Sequence, residues 1–125
     1  MRSLNAGTVW ADDRGTTAVE FAIVAPVFIL LLVGAIYLCL ALFLVGSLNY
    51  AVEEGARCAS VKASVCTDST SIVSYTQNHY FGPSAPTFTY AAAACGSSVS
   101  ASVSYVVNMG ITAVTVPVQA SACFP

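Results

Sequence analysis

Charge is what this sequence has least of. Of 125 residues, four are Lys or Arg and six are Asp or Glu, 8% in all, with 57% hydrophobic and a mean hydropathy of +0.77. A soluble domain carries roughly 25% charged residues. So little charge cannot wet the surface of an independent domain of this size, which assigns part of the chain to lipid. Four basic residues at a net charge of -2 cannot form the stripe that a phosphate backbone requires, so nucleic acid is excluded as a partner. A single histidine removes a component from most metal and triad chemistries, and no C-x-x-C pair offers a zinc site. No catalytic residue, cofactor, metal or small-molecule substrate is expected, and the chain does not read as an enzyme. Cysteine, by contrast, is abundant, with five in the chain.

The missing charge is concentrated. Between Glu20 and Glu53 there is no Asp, Glu, Lys or Arg, and Phe21 to Val45 reads FAIVAPVFILLLVGAIYLCLALFLV. At 1.5 Å per residue this run reaches roughly 37 Å, against about 30 Å of hydrocarbon in a bilayer, so it is long enough to span. It far exceeds the h-region of a secretory signal and no small-residue cleavage site follows it, so the helix is retained. Pro26 and Gly34 lie inside it, as membrane helices tolerate.

Arg2 and Arg14 on one side are balanced by Arg57 and Lys62 on the other, so basic residues do not orient the span. The cysteines do. Cys39 lies in the apolar run, whereas Cys58, Cys66, Cys95 and Cys123 all follow it. Four cysteines in a small domain read as two disulfides formed outside the cytoplasm, which places the N-terminus inside and the C-terminal domain in the periplasm or beyond. Three connectivities are possible, and the preferred one joins Cys58 to Cys66 and Cys95 to Cys123.

Residues 1–15 are polar, of mixed charge and without apolar periodicity, and read as a cytoplasmic leader. Beyond Val45 the helical pattern continues through Leu48, Val52, Gly55 and Ala59, so residues 16–62 form one long helix with its membrane segment at 21–45. Residues 63–125 form a small disulfide-bonded domain. A second helix is expected over 68–80, capped by Asp68 or Ser69, with Ile72, Tyr75, Thr76 and His79 on one stripe. Thr87 to Ala94 is β-prone, and Val99, Ala101, Val103, Tyr105 and Val107 alternate with serines. Asn108-Met109-Gly110 provides a turn, and Val114, Val116, Val118 and Ala120 alternate on the return. Pro117 lacks an N–H, which favours an edge strand. The expected fold is α+β: a long helix, a short helix and a three-stranded antiparallel sheet packed on the protruding helix.

Chemistry is most legible at RGTTAVEF, residues 14–21, where Glu20 stands alone at the head of the apolar run. A carboxylate there incurs a partial desolvation cost and needs a reason. One reading makes it an interfacial charge that complements the helix dipole. The other has the chain cut after Gly15, so that the new amino terminus at Thr16 lies about one turn from Glu20. In packed helices that ammonium would pair with the Glu20 of a neighbouring subunit, fixing register. The junction, followed by AIVAPVFILLL, resembles that of TadE-like proteins of the tight-adherence (Flp-type) pilus system. AVEEGARCA at residues 51–59 is similar to that family's Glu-Gly-Ala-Arg segment.

The resemblance implies a minor pseudopilin of a type IV pilus whose leader is removed at Gly15/Thr16 by a prepilin peptidase. Glu20 and Phe21 would then serve assembly. Independently of the resemblance, Glu53, Glu54 and Arg57 read as a solvated helix face whose place just beyond the membrane would also suit contact between subunits. The resemblance further implies a single-pass protein of the bacterial inner membrane. Its partners would be pilin or pseudopilin subunits and an inner-membrane assembly platform. Major Flp pilins are much shorter and carry Glu-Tyr at the junction, which argues against a role as the bulk filament subunit. The alternative is an uncleaved, membrane-anchored accessory protein of the pilus or secretion machine whose outer domain binds a partner.

Overall fold

A computed structural model describes residues 13–108 and 110–125. Positions 1–12 of the expected leader, and Met109 of the expected turn, lie outside the described residues. Helix α1 (Asp13–Val61) is followed by α2 (Ser69–Asn78), β1 (Thr87–Ala93), β2 (Gly96–Asn108) and β3 (Ala113–Phe124). This is the expected α+β arrangement. The chain divides into two compact units, one ending at Ile36 and the other comprising Tyr37–Pro125.

The first unit is the N-terminal part of α1, with Pro26 inside it. Its apolar side chains are uncovered: Phe21 is 73% exposed, Leu30 72% and Leu31 69%. Leaving a large apolar side chain in water forfeits roughly 1.5–3 kcal/mol relative to burial. Twelve of them, from Val19 to Ile36, are exposed here. Leaving this surface bare in water would therefore be costly, and α1 is long and apolar enough to cross a membrane.

In the second unit α1 gains a covered face. Leu44, Leu48, Ala51, Val52 and Ala56 are buried, at most 1% exposed. They continue a stripe that begins with the half-buried Tyr37 and Ala41, each member three or four residues from another. Against it lies the inner face of the sheet. Val99, Ala101, Val103 and Tyr105 on β2 are buried, as is Ala120 on β3, while Ser100, Ser102 and Ser104 face outward. The last turns of the apolar run thus pack on protein along one stripe and keep their other faces uncovered.

Strand order is β1-β2-β3, fully antiparallel, which makes β3 an edge and accommodates Pro117 there. β1 pairs with Gly96–Ser102 of β2, whereas β3 pairs with Ser97–Asn108. The hairpin therefore extends beyond β1 as two strands. Gly110 adopts φ +83° in its turn and donates its N–H to Asn108 Oδ1 at 3.0 Å.

α2 starts where its cap dictates. The Asp68 carboxylate accepts from Ser71 N at 3.0 Å while Ser71 Oγ receives the Asp68 N–H at 3.1 Å, a reciprocal capping box. Ile72 and Thr76 turn inward.

Candidate assembly site

The groups expected to act in assembly fall on both units. In the first, Gly15 and Thr16 lie in the opening turns of α1, with Glu20 and Phe21 about one turn on, and all four are exposed. The first N–H groups of a helix have no intrahelical acceptor, so this end frays readily. Phe21 and Glu20 project from the start of the uncovered apolar surface.

In the second unit Glu53 and Arg57 are exposed and Glu54 is half-buried. With Ser121 to Phe124 they line an open cleft of about 450 Å³. The acidic and basic side chains near the C-terminal end of α1 are thus gathered beside the end of β3, a neighbourhood the sequence alone did not reveal. Lys62, one turn further, donates to Tyr75 Oη at 3.0 Å and lies 5.3 Å from the ring centre. That hydrogen bond raises the Lys62 pKa above its ordinary value.

Between Glu54 and Arg57 the helix carries Gly55, and the structure explains why. A Cβ at Gly55 would run into Thr76 Oγ1 and lie 3.2 Å from Thr76 Cβ and 3.3 Å from its Cγ2. Thr76 is fully buried and its hydroxyl donates to the Ile72 carbonyl at 2.8 Å. Gly55 is therefore a point at which α2 approaches α1 too closely to leave room for a side chain. A second tie is polar: the Phe81 N–H donates to Ser47 Oγ at 2.8 Å.

Both cysteine pairs lie at bonding distance. Cys58 joins Cys66 with Cα atoms 5.9 Å apart, closing the loop that turns the chain from α1 toward α2. Cys95 joins Cys123 across 6.2 Å, fastening the β1–β2 turn to the end of β3. Cys39 is a free, exposed thiol within the apolar run.

His79 caps the C-terminus of α2 and donates from Nδ1 to the Tyr75 carbonyl at 2.8 Å. Among the described residues, no group of His, Cys, Asp and Glu could hold a metal ion. Tyr80 differs from these satisfied groups: its buried hydroxyl has no hydrogen-bond partner among the described residues, and burial raises its pKa.

Two participants escaped sequence reasoning. Gly55 read only as a small residue on the helical stripe. Tyr37 lies inside the apolar run assigned to the membrane, yet its hydroxyl donates to the Asn108 carbonyl at 3.1 Å, at the far end of β2. Extending the stripe of Leu48 and Val52 backward through Leu44 and Ala41 reaches Tyr37, and that periodicity was the available signal.

No curated protein and no solved structure matches the chain. A protein-family model does match, over the part of α1 that begins at Gly15 and ends at Arg57, leaving α2 and the sheet beyond it. The family is described as TadE-like protein, so residues 15–57 of this chain are similar to TadE-like proteins.

Proposed function

We propose that the protein is a TadE-like minor pseudopilin that takes part in assembling or initiating a tight-adherence type IV pilus. The observation that carries this reading is the extent of the family match, which begins at Gly15 and runs through Glu20 to the Gly55 segment. On this reading a prepilin peptidase removes residues 1–15 on the cytoplasmic side of the inner membrane. Thr16 becomes the amino terminus and Glu20 the fifth residue. In a bundle of such helices the uncovered apolar surface packs on neighbouring subunits, where the Glu20 carboxylate finds a terminal ammonium. In a low dielectric that attraction strengthens, and either charge left alone is heavily penalised, so the pair selects one register. The domain carrying the two disulfides lies on the opposite, oxidising side.

The test is the amino-terminal residue of the protein recovered from membranes of cells with and without the peptidase. The reading expects Thr16 in the first and an unprocessed chain in the second. An intact leader in both would establish an uncleaved anchor instead.

A further inference from the structure

The end of the β2–β3 hairpin lies beside the apolar part of α1. Besides the Tyr37–Asn108 hydrogen bond, Val107 and Val116 line an apolar groove of about 360 Å³ with Tyr37, Ala41 and Val45. Tyr37 to Val45 belong to the uncharged run assigned to the membrane. Whatever depth that stretch takes in a bilayer, the hairpin end shares it.

Its surface suits that depth. Along the outer face of β2 the residues are Ser98, Ser100, Ser102 and Ser104, then Val106, which is 54% exposed. Ile111 in the turn is 98% exposed, and Val114 and Val116 are 46% and 44% exposed. No Asp, Glu, Lys or Arg occurs after Asp68. The sheet thus grades from a hydroxyl-bearing surface to an apolar, uncharged tip, in the direction of the membrane segment.

The backbone limits how deep the tip can go. Among the described residues no strand pairs with the outer edge of Val103–Asn108, because β1 reaches only Ser102. Unpaired N–H and C=O groups are not tolerated in hydrocarbon but are satisfied among hydrated headgroups. Counting about 20 residues of span from Phe21 puts the outer boundary of the hydrocarbon near Leu40, within one turn of Tyr37. A tyrosine belongs at that level.

We propose that the hairpin end is a second membrane contact, seated in the headgroup interface of the bilayer that α1 crosses, with Ile111 as its apolar anchor. It fixes the orientation of the sheet on the membrane surface, which one helix alone would leave free to rotate. The proposal rests on the membrane-spanning reading of α1 and is independent of the pilus reading.

It is tested with full-length protein in phosphatidylcholine vesicles, using Trp10→Phe to remove the single native tryptophan. Ile111→Trp, Ser102→Trp and Leu31→Trp then serve as three probes. Ile111 and Ser102 are exposed, so neither replacement disturbs the core. The expected result is blue-shifted Ile111→Trp emission that is quenched by lipid brominated near the headgroup and shielded from aqueous iodide. Ser102→Trp should behave in the opposite way, and Leu31→Trp should be quenched by lipid brominated deep in the chains. Iodide access at Ile111→Trp with Leu31→Trp still quenched by lipid would overturn the hairpin contact and leave the span intact. Iodide access at both would overturn the span as well. Shielding of Ile111→Trp from both quenchers, relieved as protein is diluted in lipid, would show a second copy on the tip and also overturn the proposal.

Discussion

Gly55→Ala sets two effects of known size against each other. In a helix interior, alanine is favoured over glycine by about 1 kcal/mol. At this position the new methyl meets Thr76, whose Cβ and Cγ2 stand 3.2 and 3.3 Å away and whose Oγ1 is nearer still. Thr76 cannot easily yield. It is β-branched and fully buried, and its hydroxyl is held by the Ile72 carbonyl. Overpacking of this kind costs about 1–3 kcal/mol. The expected net change is thus between neutrality and a loss of about 2 kcal/mol, in place of the ordinary gain. Thr76→Ala removes Oγ1 and Cγ2 and leaves only its Cβ at 3.2 Å, so the same Gly55→Ala change made in that background should recover most of the helix-propensity gain of about 1 kcal/mol. The coupling between the two positions should be about 1–3 kcal/mol. Urea unfolding of the four proteins in detergent micelles, followed by the near-ultraviolet circular dichroism of the tyrosines, gives all four corners of the cycle. A full helix-propensity gain from Gly55→Ala alone, or a coupling near zero, would refute the close approach of α2 to α1.

Replacing Cys95 and Cys123 together by serine removes a crosslink over 28 residues of sequence. Loop-closure entropy sets the expected loss at about 3–4 kcal/mol, measurable by the same unfolding experiment. Asp68 has its pKa lowered by the hydrogen bonds from Ser71, so its stabilising effect is complete above the unfolded carboxylate pKa and is lost as pH falls through the lower folded value. Asp68→Asn retains an N-cap and should flatten that acid limb of the stability profile, whereas Asp68→Ala should destabilise α2 at neutral pH. Gly110→Ala forces a side chain into the positive-φ turn and should cost about 1–2 kcal/mol, with Gly110→Asn costing less. Glu20→Ala should abolish incorporation into pili while leaving membrane insertion unchanged, and normal incorporation would reduce the carboxylate to an interfacial charge.

Much of the architecture was legible because its signals are local. The Asp68 cap, the serine–valine alternation of β2 and the Asn108–Gly110 turn each lie within a few residues of the structure they specify. The candidate site was legible in part. Glu20 announced itself as the lone carboxylate at the head of an uncharged run. The cleft that joins Glu53, Glu54 and Arg57 to Ser121 through Phe124 did not, because its two walls are more than sixty residues apart in the chain.

The sequence by itself determined that this chain carries a helix long and apolar enough to cross a membrane and which face of each later element is apolar. Runs and periods record burial directly, since every side chain answers to the period of its own backbone. Only the tertiary structure decided what covers those faces. The same apolar stripe on α1 could have met lipid, a second helix or a sheet. Long-range packing chose the sheet from Leu44 onward, set Thr76 against Gly55 where no side chain fits, and brought Asn108 to Tyr37. Periodicity specifies that a surface must be covered, and only shape complementarity between distant segments specifies by what.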